Sequence, residues 1–245
     1  MFTDIITIIR KEWKEMFMMR GSLRGGLTNL LIQFGVFGVF IPWQFASDWF
    51  KSPLNPLIWS WMPVFMATWM VSDAIAGERE RHTLETLLAS RLSDRAIYLG
   101  KLSAAILYGF GLALVNLLLA AVTVNLVHPG DGLQFYPLGF FFLILAFDML
   151  GCGLLAGLGV LVSLRAATAR QAYQRMSIVL MAVWLLPVVV VPMLPESWKA
   201  PMMAVLMNAN YNAILLWVCL GLLVIDGALV AAGQTRFKRA RLVIE

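Results

Sequence analysis

Two carboxylates, Asp148 and Asp226, invite chemistry first, because each lies within a long apolar stretch. A carboxylate at mid-membrane costs about 2.5–3.5 kcal/mol even on the lenient insertion scale, so it must face the protein interior or water, or carry a proton. The two make a candidate intramembrane polar site. Asp148 reads equally as a functional group or as a polar tie, with Asn116 and Thr123 of the preceding apolar stretch as partners. Asp226 reads rather as structural, and Asp73 as reaching the membrane surface. Other chemistry finds little footing. His82 and His128 are far apart, and Cys152 and Cys219 sit in apolar runs, so no His/Cys spacing proposes a metal site or a disulfide framework. No His-Glu-x-x-His motif occurs, and no nucleophile and base converge, so no catalytic residue is expected. The phosphate-binding loop G-x-x-x-x-G-K-[ST] is missing as well: Gly100–Lys101 is followed by Leu102, and Arg95 stands where the first glycine would be. The chain is expected to bind no nucleotide and no cofactor of its own.

The elements that must position these residues are membrane helices. The sequence is 60% hydrophobic and 13% charged, with a mean hydropathy of +0.80. A soluble domain is about 45–50% apolar and about 25% charged. Lipid must therefore solvate much of the surface, and the expected class is an all-α integral membrane protein. A helix needs about 20 mostly apolar residues to cross the hydrocarbon. Six stretches qualify: 27–46, 57–76, 102–127, 136–163, 176–195 and 211–233. They leave no room for a soluble catalytic domain, so 1–245 reads as a single transmembrane domain. A secretory signal places a short basic stretch directly before a short apolar core. Here 26 residues precede the first apolar run, and they read as part of the mature protein.

Charge fixes the orientation. Of the 19 Lys and Arg residues, none falls inside a span. Only Lys51 and Lys199 lie on the connections after spans one, three and five; the other 17 lie on the termini and the remaining connections. The positive-inside rule then puts both termini in the cytoplasm, in the plasma (inner) membrane. Trp43, Trp49, Trp59, Trp61, Trp198 and Tyr211 crowd the opposite side, where rings with a polar edge favour the interface. The net charge of +5 is thus an orientation signal. With no basic stripe on a soluble module, nucleic acid is not an expected partner.

Several spans carry packing signals. Gly153 and Gly157 form a GxxxG pair that lets helices approach closely, by default as packing and only weakly as a dimer face. Pro187 and Pro192 interrupt the hydrogen-bond ladder of span five. The 196–210 segment is too long for a tight turn and could form a short external piece.

Two cytoplasmic segments are more than loops. Residues 2–20 place Phe2, Ile5, Ile6, Ile9, Trp13, Met16 and Phe17 on one helical face, with Thr3, Thr7, Arg10, Lys11 and Lys14 largely on the other. Such a helix serves equally as an anchor at the lipid surface or as a platform for a partner. The second segment, 77–101, reads GERERHTLETLLASRLSDRAIYLGK. Leu84, Leu87, Leu88 and Leu92 recur at helical spacing after the alternating charges of Glu78, Arg79, Glu80 and Arg81. The chain is expected to leave the membrane, form a short charged helix, turn at Ser93 as an N-cap, and re-enter. Helix connections need about 2–8 residues. A 25-residue segment with a leucine face exceeds that and reads as a protein-docking element.

This segment resembles the permeases of type-2 ABC exporters. The likeness is carried by Gly77–Glu78–Arg79–Glu80, by Thr83–Leu84–Glu85 with Leu87–Leu88, by Ser93, and by Gly100–Lys101 at the opening of span three. The six-span order and amphipathic N-terminal helix also fit. Two positions depart from that family: His82 stands where a glycine is usual before the threonine, and Arg91 where a proline is usual before the serine. Both alter how the short helix starts and bends.

The resemblance implies a dimer of permeases, with itself or a sister chain, above two ABC ATPase subunits that hold the ATP and Mg. It implies that 77–92 is a coupling helix seated in an ATPase cleft, with Arg81 among its charged residues and Lys101, at the opening of span three, among the ATPase-coupling positions. Trp13, Phe17, Arg10 and Lys14 would belong to a second contact surface. The alternatives are an ABC-type complex used for assembly, maturation or signalling, and, less favoured, a membrane-embedded enzyme.

Overall fold

The computed structural model describes residues 1–17, 23–46, 48–66, 68–129, 132–207 and 209–237. Among them every regular element is a helix: α1 (Phe2–Phe17), α2 (Leu23–Gln33), a π-helical stretch (Phe34–Phe40) leading into α3 (Ile41–Gln44), α4 (Leu54–Met66), α5 (Thr68–Glu80), α6 (Leu84–Ala89), α7 (Asp94–Val127), α8 (Leu138–Arg165), α9 (Ala169–Met193), α10 (Glu196–Met207) and α11 (Tyr211–Arg236). Among the described residues, four helices are long and apolar enough to cross a membrane: Gly25–Gln44, Asp94–Val127, Leu138–Arg165 and Tyr211–Arg236. The other two expected spans also fall on helices. The 57–76 stretch lies on α4 and α5, to either side of position 67, which is outside the described residues; 176–195 lies on α9, which runs through both prolines to Met193. The 196–210 segment contains α10.

The helices α7 and α8 form the central pair, and α1, α4, α5 and α11 pack around them. At 1.5 Å per residue, α7 is about 50 Å long, well beyond a hydrocarbon core of about 30 Å. Ser93 caps it as the sequence leads one to expect, its Oγ accepting from Ala96 N at 3.2 Å.

Two apolar clusters occupy the two ends of this pair. One gathers Ile8, Val71, Ile75, Leu84, Ile97 and Leu102. The other gathers Trp49, Leu117, Val124, Tyr136, Phe140 and Ile144. The connections sort accordingly. Trp49, Tyr136 and Tyr211 line one cavity of about 220 Å³, and the Trp49 indole donates to the Tyr136 hydroxyl at 2.9 Å. The N-terminal helix, the 77–101 segment, the α8–α9 turn and the end of α11 meet at the opposite end.

The π-helical stretch has a local cause. Pro42 has no N–H to offer the carbonyl of Gly38, four residues earlier, and the Thr123 hydroxyl donates to that carbonyl at 3.0 Å instead. Gly38 sits against the Leu119 side chain, where a Cβ would fall 2.9 Å from Leu119 Cβ, so only glycine lets α7 come this close.

Glycines in α8 serve its neighbours within the chain. Gly153 faces the Asp226 carboxylate and Gly157 faces Leu229, both on α11, while Gly159 faces Val71 on α5. The GxxxG pair thus seats α11 within one chain. The Ser163 hydroxyl locks α8 to α5, accepting from Ala76 N at 2.8 Å and donating to Ser72 O at 3.0 Å.

Candidate functional site

The charged stretch 77–81 departs from expectation. It does not open the short helix: Gly77 to Glu80 are the last turn of α5, and only Leu84–Ala89 form a separate helix. No breaker precedes His82, so the helix of span two simply continues. It ends in a Schellman pair, with Thr83 N bonded to Glu78 O at 2.9 Å and His82 N to Arg79 O at 3.1 Å. His82 takes the left-handed conformation this requires, at φ 56°. That geometry explains why a glycine suits the position. Replacing His82 by glycine is expected to stabilise the protein by about 1 kcal/mol, read as a higher Tm, because a left-handed residue with a side chain costs about 1–2 kcal/mol.

Each charge of the stretch is satisfied inside the chain. Glu78 is buried, 2% exposed, and receives Lys11 Nζ at 2.5 Å, Lys101 Nζ at 2.9 Å and the Thr83 hydroxyl at 3.1 Å. Lys101, 4% exposed, also bonds Glu12 at 2.6 Å. Burial by itself would raise the Glu78 carboxyl; the Lys101 and Lys11 ammonium groups overcome that and hold it at about 2. Arg79 donates to Ala166 O at 3.0 Å and Leu164 O at 3.2 Å, placing a cation on the free carbonyls at the end of α8. Glu80 accepts from Ala169 N at 3.1 Å, placing an anion at the start of α9. Arg81 forks onto Asp73 with contacts of 3.0–3.2 Å, and Asp73 crosses directly over Gly77, where a Cβ would fall 2.0 Å from its Oδ1.

The Gly100–Lys101 pair has the same character. A Cβ on Gly100 would lie 2.7 Å from Ile8 Cβ, so this glycine is what lets α1 lie on α7. Lys101 then ties both helices to α5. Trp13 adds a bond from its indole N–H to Ala104 O at 3.1 Å.

The N-terminal helix is therefore turned differently from its apolar pattern. Ile8, absent from the expected apolar face, is 2% exposed, and Lys11, expected on the opposite, basic face, turns inward to Glu78. A buried acid on another element outweighs the local period. Arg10 and Lys14 remain exposed, and Trp13 is half-buried. Residues 18–20 and the side chains of Phe17 and Leu88 lie outside the described residues.

What stays outward is α6 and its surroundings. Leu84 is buried and Leu87 half-buried against α5 and α7, while Glu85, Thr86, Ala89 and Arg91 are exposed. The short helix is a knob held from beneath by its leucines.

Within the spans, Asp148 is fully buried and accepts from the Ser60 hydroxyl at 3.2 Å. Its expected partners lie elsewhere: Thr123 bonds Gly38 O, and Asn116 Nδ2 donates to Leu112 O at 2.7 Å. Both side chains sit where α7 needs its own or the π-helical backbone satisfied. Asp226 packs on Gly153, within the same part of α8. No group of three or more His, Cys, Asp or Glu side chains that could hold a metal ion occurs among the described residues.

Sequence reasoning missed Ile8, Lys11 and Glu12 as partners of the 77–101 segment, and Ser60 as the donor to Asp148. The Ile8–Glu12 pair lies one helical turn apart on one face, a weak signal that periodicity of apolar residues alone does not register.

Comparison with known proteins agrees with this architecture. A family model described as ABC-2 family transporter protein matches residues 44–218, well over half of the chain. A search of curated proteins gives no match.

Proposed function

Because the chain belongs to the ABC-2 transporter family, a family of multi-pass membrane components of transporters, we propose that it is the permease subunit of an ATP-driven exporter. Six helices cross the inner membrane with both termini in the cytoplasm. Two ABC ATPase subunits sit beneath a permease dimer, with a second copy or a sister chain, and these ATPases hold the ATP and Mg. The knob α6 enters an ATPase cleft, and closure of the ATPase pair moves it as a rigid body.

The observation that carries this reading is the frame behind α6. Glu78, Arg79 and Glu80 tie α5 to α1, α7, α8 and α9 at once. A push on α6 is thus delivered to several membrane helices together. Long rigid elements with discrete packing transmit such displacements, whereas a solvated loop would absorb them.

The test uses an ABC ATPase recovered with this chain from its native membranes and then co-expressed with it. Ala89→Arg and Glu85→Arg change exposed positions, so the permease still folds and inserts. Co-purification of the ATPase is expected to fall at least about tenfold, the effect of losing roughly 1.4 kcal/mol at an interface. Full retention of the ATPase by both variants, with its activity unchanged, would sink the coupling assignment for α6.

A further inference from the structure

The cavity of about 220 Å³ lies at the end of the α7–α8 pair opposite α6, where the α3–α4 connection meets the starts of α8 and α11. Trp49, Tyr136 and Phe140, each no more than 6% exposed, form its floor. That floor is built rigidly. The Tyr136 hydroxyl, which accepts from the Trp49 indole, itself donates to Leu117 O on α7 at 3.1 Å, and the Phe50 ring meets Tyr136 edge-on at 5.0 Å. Asn125 of α7 clamps the adjoining connection: its Nδ2 donates to Gln134 O at 2.8 Å and its Oδ1 accepts from Gln134 N at 2.7 Å. The cavity is thus preformed, as small-molecule sites usually are, and its buried floor closes it as a pocket rather than a passage between helices.

The lining says what fits. Small-molecule pockets commonly hold about 300–1,000 Å³ for a drug-sized ligand, so this smaller cavity takes a single ring-sized group. Among the described residues no Lys, Arg, His, Asp or Glu lines it. A phosphate, carboxylate or ammonium group would shed its hydration there without a counter-charge. A wholly apolar group fits no better. Asn210 and Asn212 are exposed at the mouth and Ser52 is half-buried beside them, and such a group would cover their polar atoms without bonding them. An uncharged ring carrying hydroxyls meets both demands. Its C–H surface rests on the half-buried Phe50, Pro53 and Tyr211. Its hydroxyls, each a donor and an acceptor, match carboxamides that also offer both. Asn210 keeps a donor for this purpose, since its cap bond to Ala213 N at 3.2 Å engages only Oδ1.

We propose that this cavity binds an uncharged sugar ring, as the headgroup of a glycolipid or as a free glycoside, with Asn210, Asn212 and Ser52 holding its hydroxyls. The site goes beyond the permease reading and does not depend on it, because α6 and the frame behind it lie at the other end of the helix pair.

The experiment uses the full chain in lipid nanodiscs. Saturation-transfer NMR follows methyl glucoside, and native mass spectrometry counts monoglucosyl diacylglycerol retained from the nanodisc against plain diacylglycerol. Saturable binding of at least one sugar probe is expected. Binding of both marks the sugar ring alone as sufficient, and retention of the glucolipid without the free glucoside marks a lipid source. Asn212→Leu, at an exposed position, should weaken binding about tenfold, the effect of one lost hydrogen bond. Asn212→Gln keeps the carboxamide and should retain most of the affinity, which separates recognition from misfolding. Ala209→Trp, which fills the cavity from its edge, should abolish binding. Absence of saturable binding of either probe to the wild-type chain, or affinity unchanged in both Asn212→Leu and Ala209→Trp, overturns the proposal.

Discussion

Replacing Glu78 by alanine is expected to destabilise the protein by about 3–5 kcal/mol, the usual cost of removing one partner from a buried ion pair. The deletion leaves the Lys101 ammonium, 4% exposed, with Glu12 alone, and frees Lys11 from the acid that draws it inward. A surface ion pair such as Asp73–Arg81 is worth about 0–1 kcal/mol, so Arg81→Ala should do far less to stability. Thermal unfolding in nanodiscs compares the two. The pH dependence has a definite sign. Glu78 is held at about 2 in the folded chain, below its ordinary value of 4.5. A depressed carboxyl favours folding above its unfolded pKa and loses that contribution as pH falls through its folded one. Stability should therefore drop between about pH 4.5 and 2, and Glu78→Gln should flatten that part of the profile. A variant as stable as the wild-type chain, with the same acid slope, would place the cluster among contacts of no consequence.

Placing valine at Gly100 is expected to lift α1 from α7. Alanine in a helix interior is ordinarily worth about 1 kcal/mol over glycine. Here the gain is outweighed, since the new Cβ would lie 2.7 Å from Ile8 Cβ and 2.8 Å from its Cγ2, and Ile8 is 2% exposed with no space to retreat into. Overpacking of this kind costs about 1–3 kcal/mol. Separation of the two helices also breaks the Trp13–Ala104 bond and stretches Lys101 from Glu12. Hydrogen exchange should rise along α1 by an order of magnitude or more while the interior of α8 stays protected. The double change of Gly100→Val with Ile8→Ala should recover much of the loss, as coupled neighbours do. Equal exchange along α1 in Gly100→Val and wild-type chains would show that the clash is relieved without moving the helix.

The two largest effects thus fall on residues that the sequence marks but does not explain. Gly77, Glu78, Gly100 and Lys101 stand out by pattern, and alternating charge beside a leucine face reads naturally as a surface offered to a partner. In the fold those charges meet helix ends and buried amines of the same chain. Their docking value is indirect, through the rigidity they give α6. Leu84 and Leu87 behave likewise, since they hold the knob in place while Glu85 and Ala89 face outward.

The sequence by itself determined the quantities that depend on solvent. Apolar length and charge alternation sort which segments enter lipid and which connections share a side, because the transfer of a charge or of about 20 apolar residues is a large energy summed over a contiguous stretch. Ser93 was legible for a similar reason: an N-cap acts over three residues. Only the tertiary structure decided which carboxylate meets which amine. Glu78 lies 67 residues from Lys11 and 23 from Lys101, and Ser60 lies 88 residues from Asp148. Such contacts are set by how helices rotate and pack, and that rotation follows from small differences in steric fit, at Gly100 against Ile8 or Gly151 against Trp61, that no local pattern of residue types records.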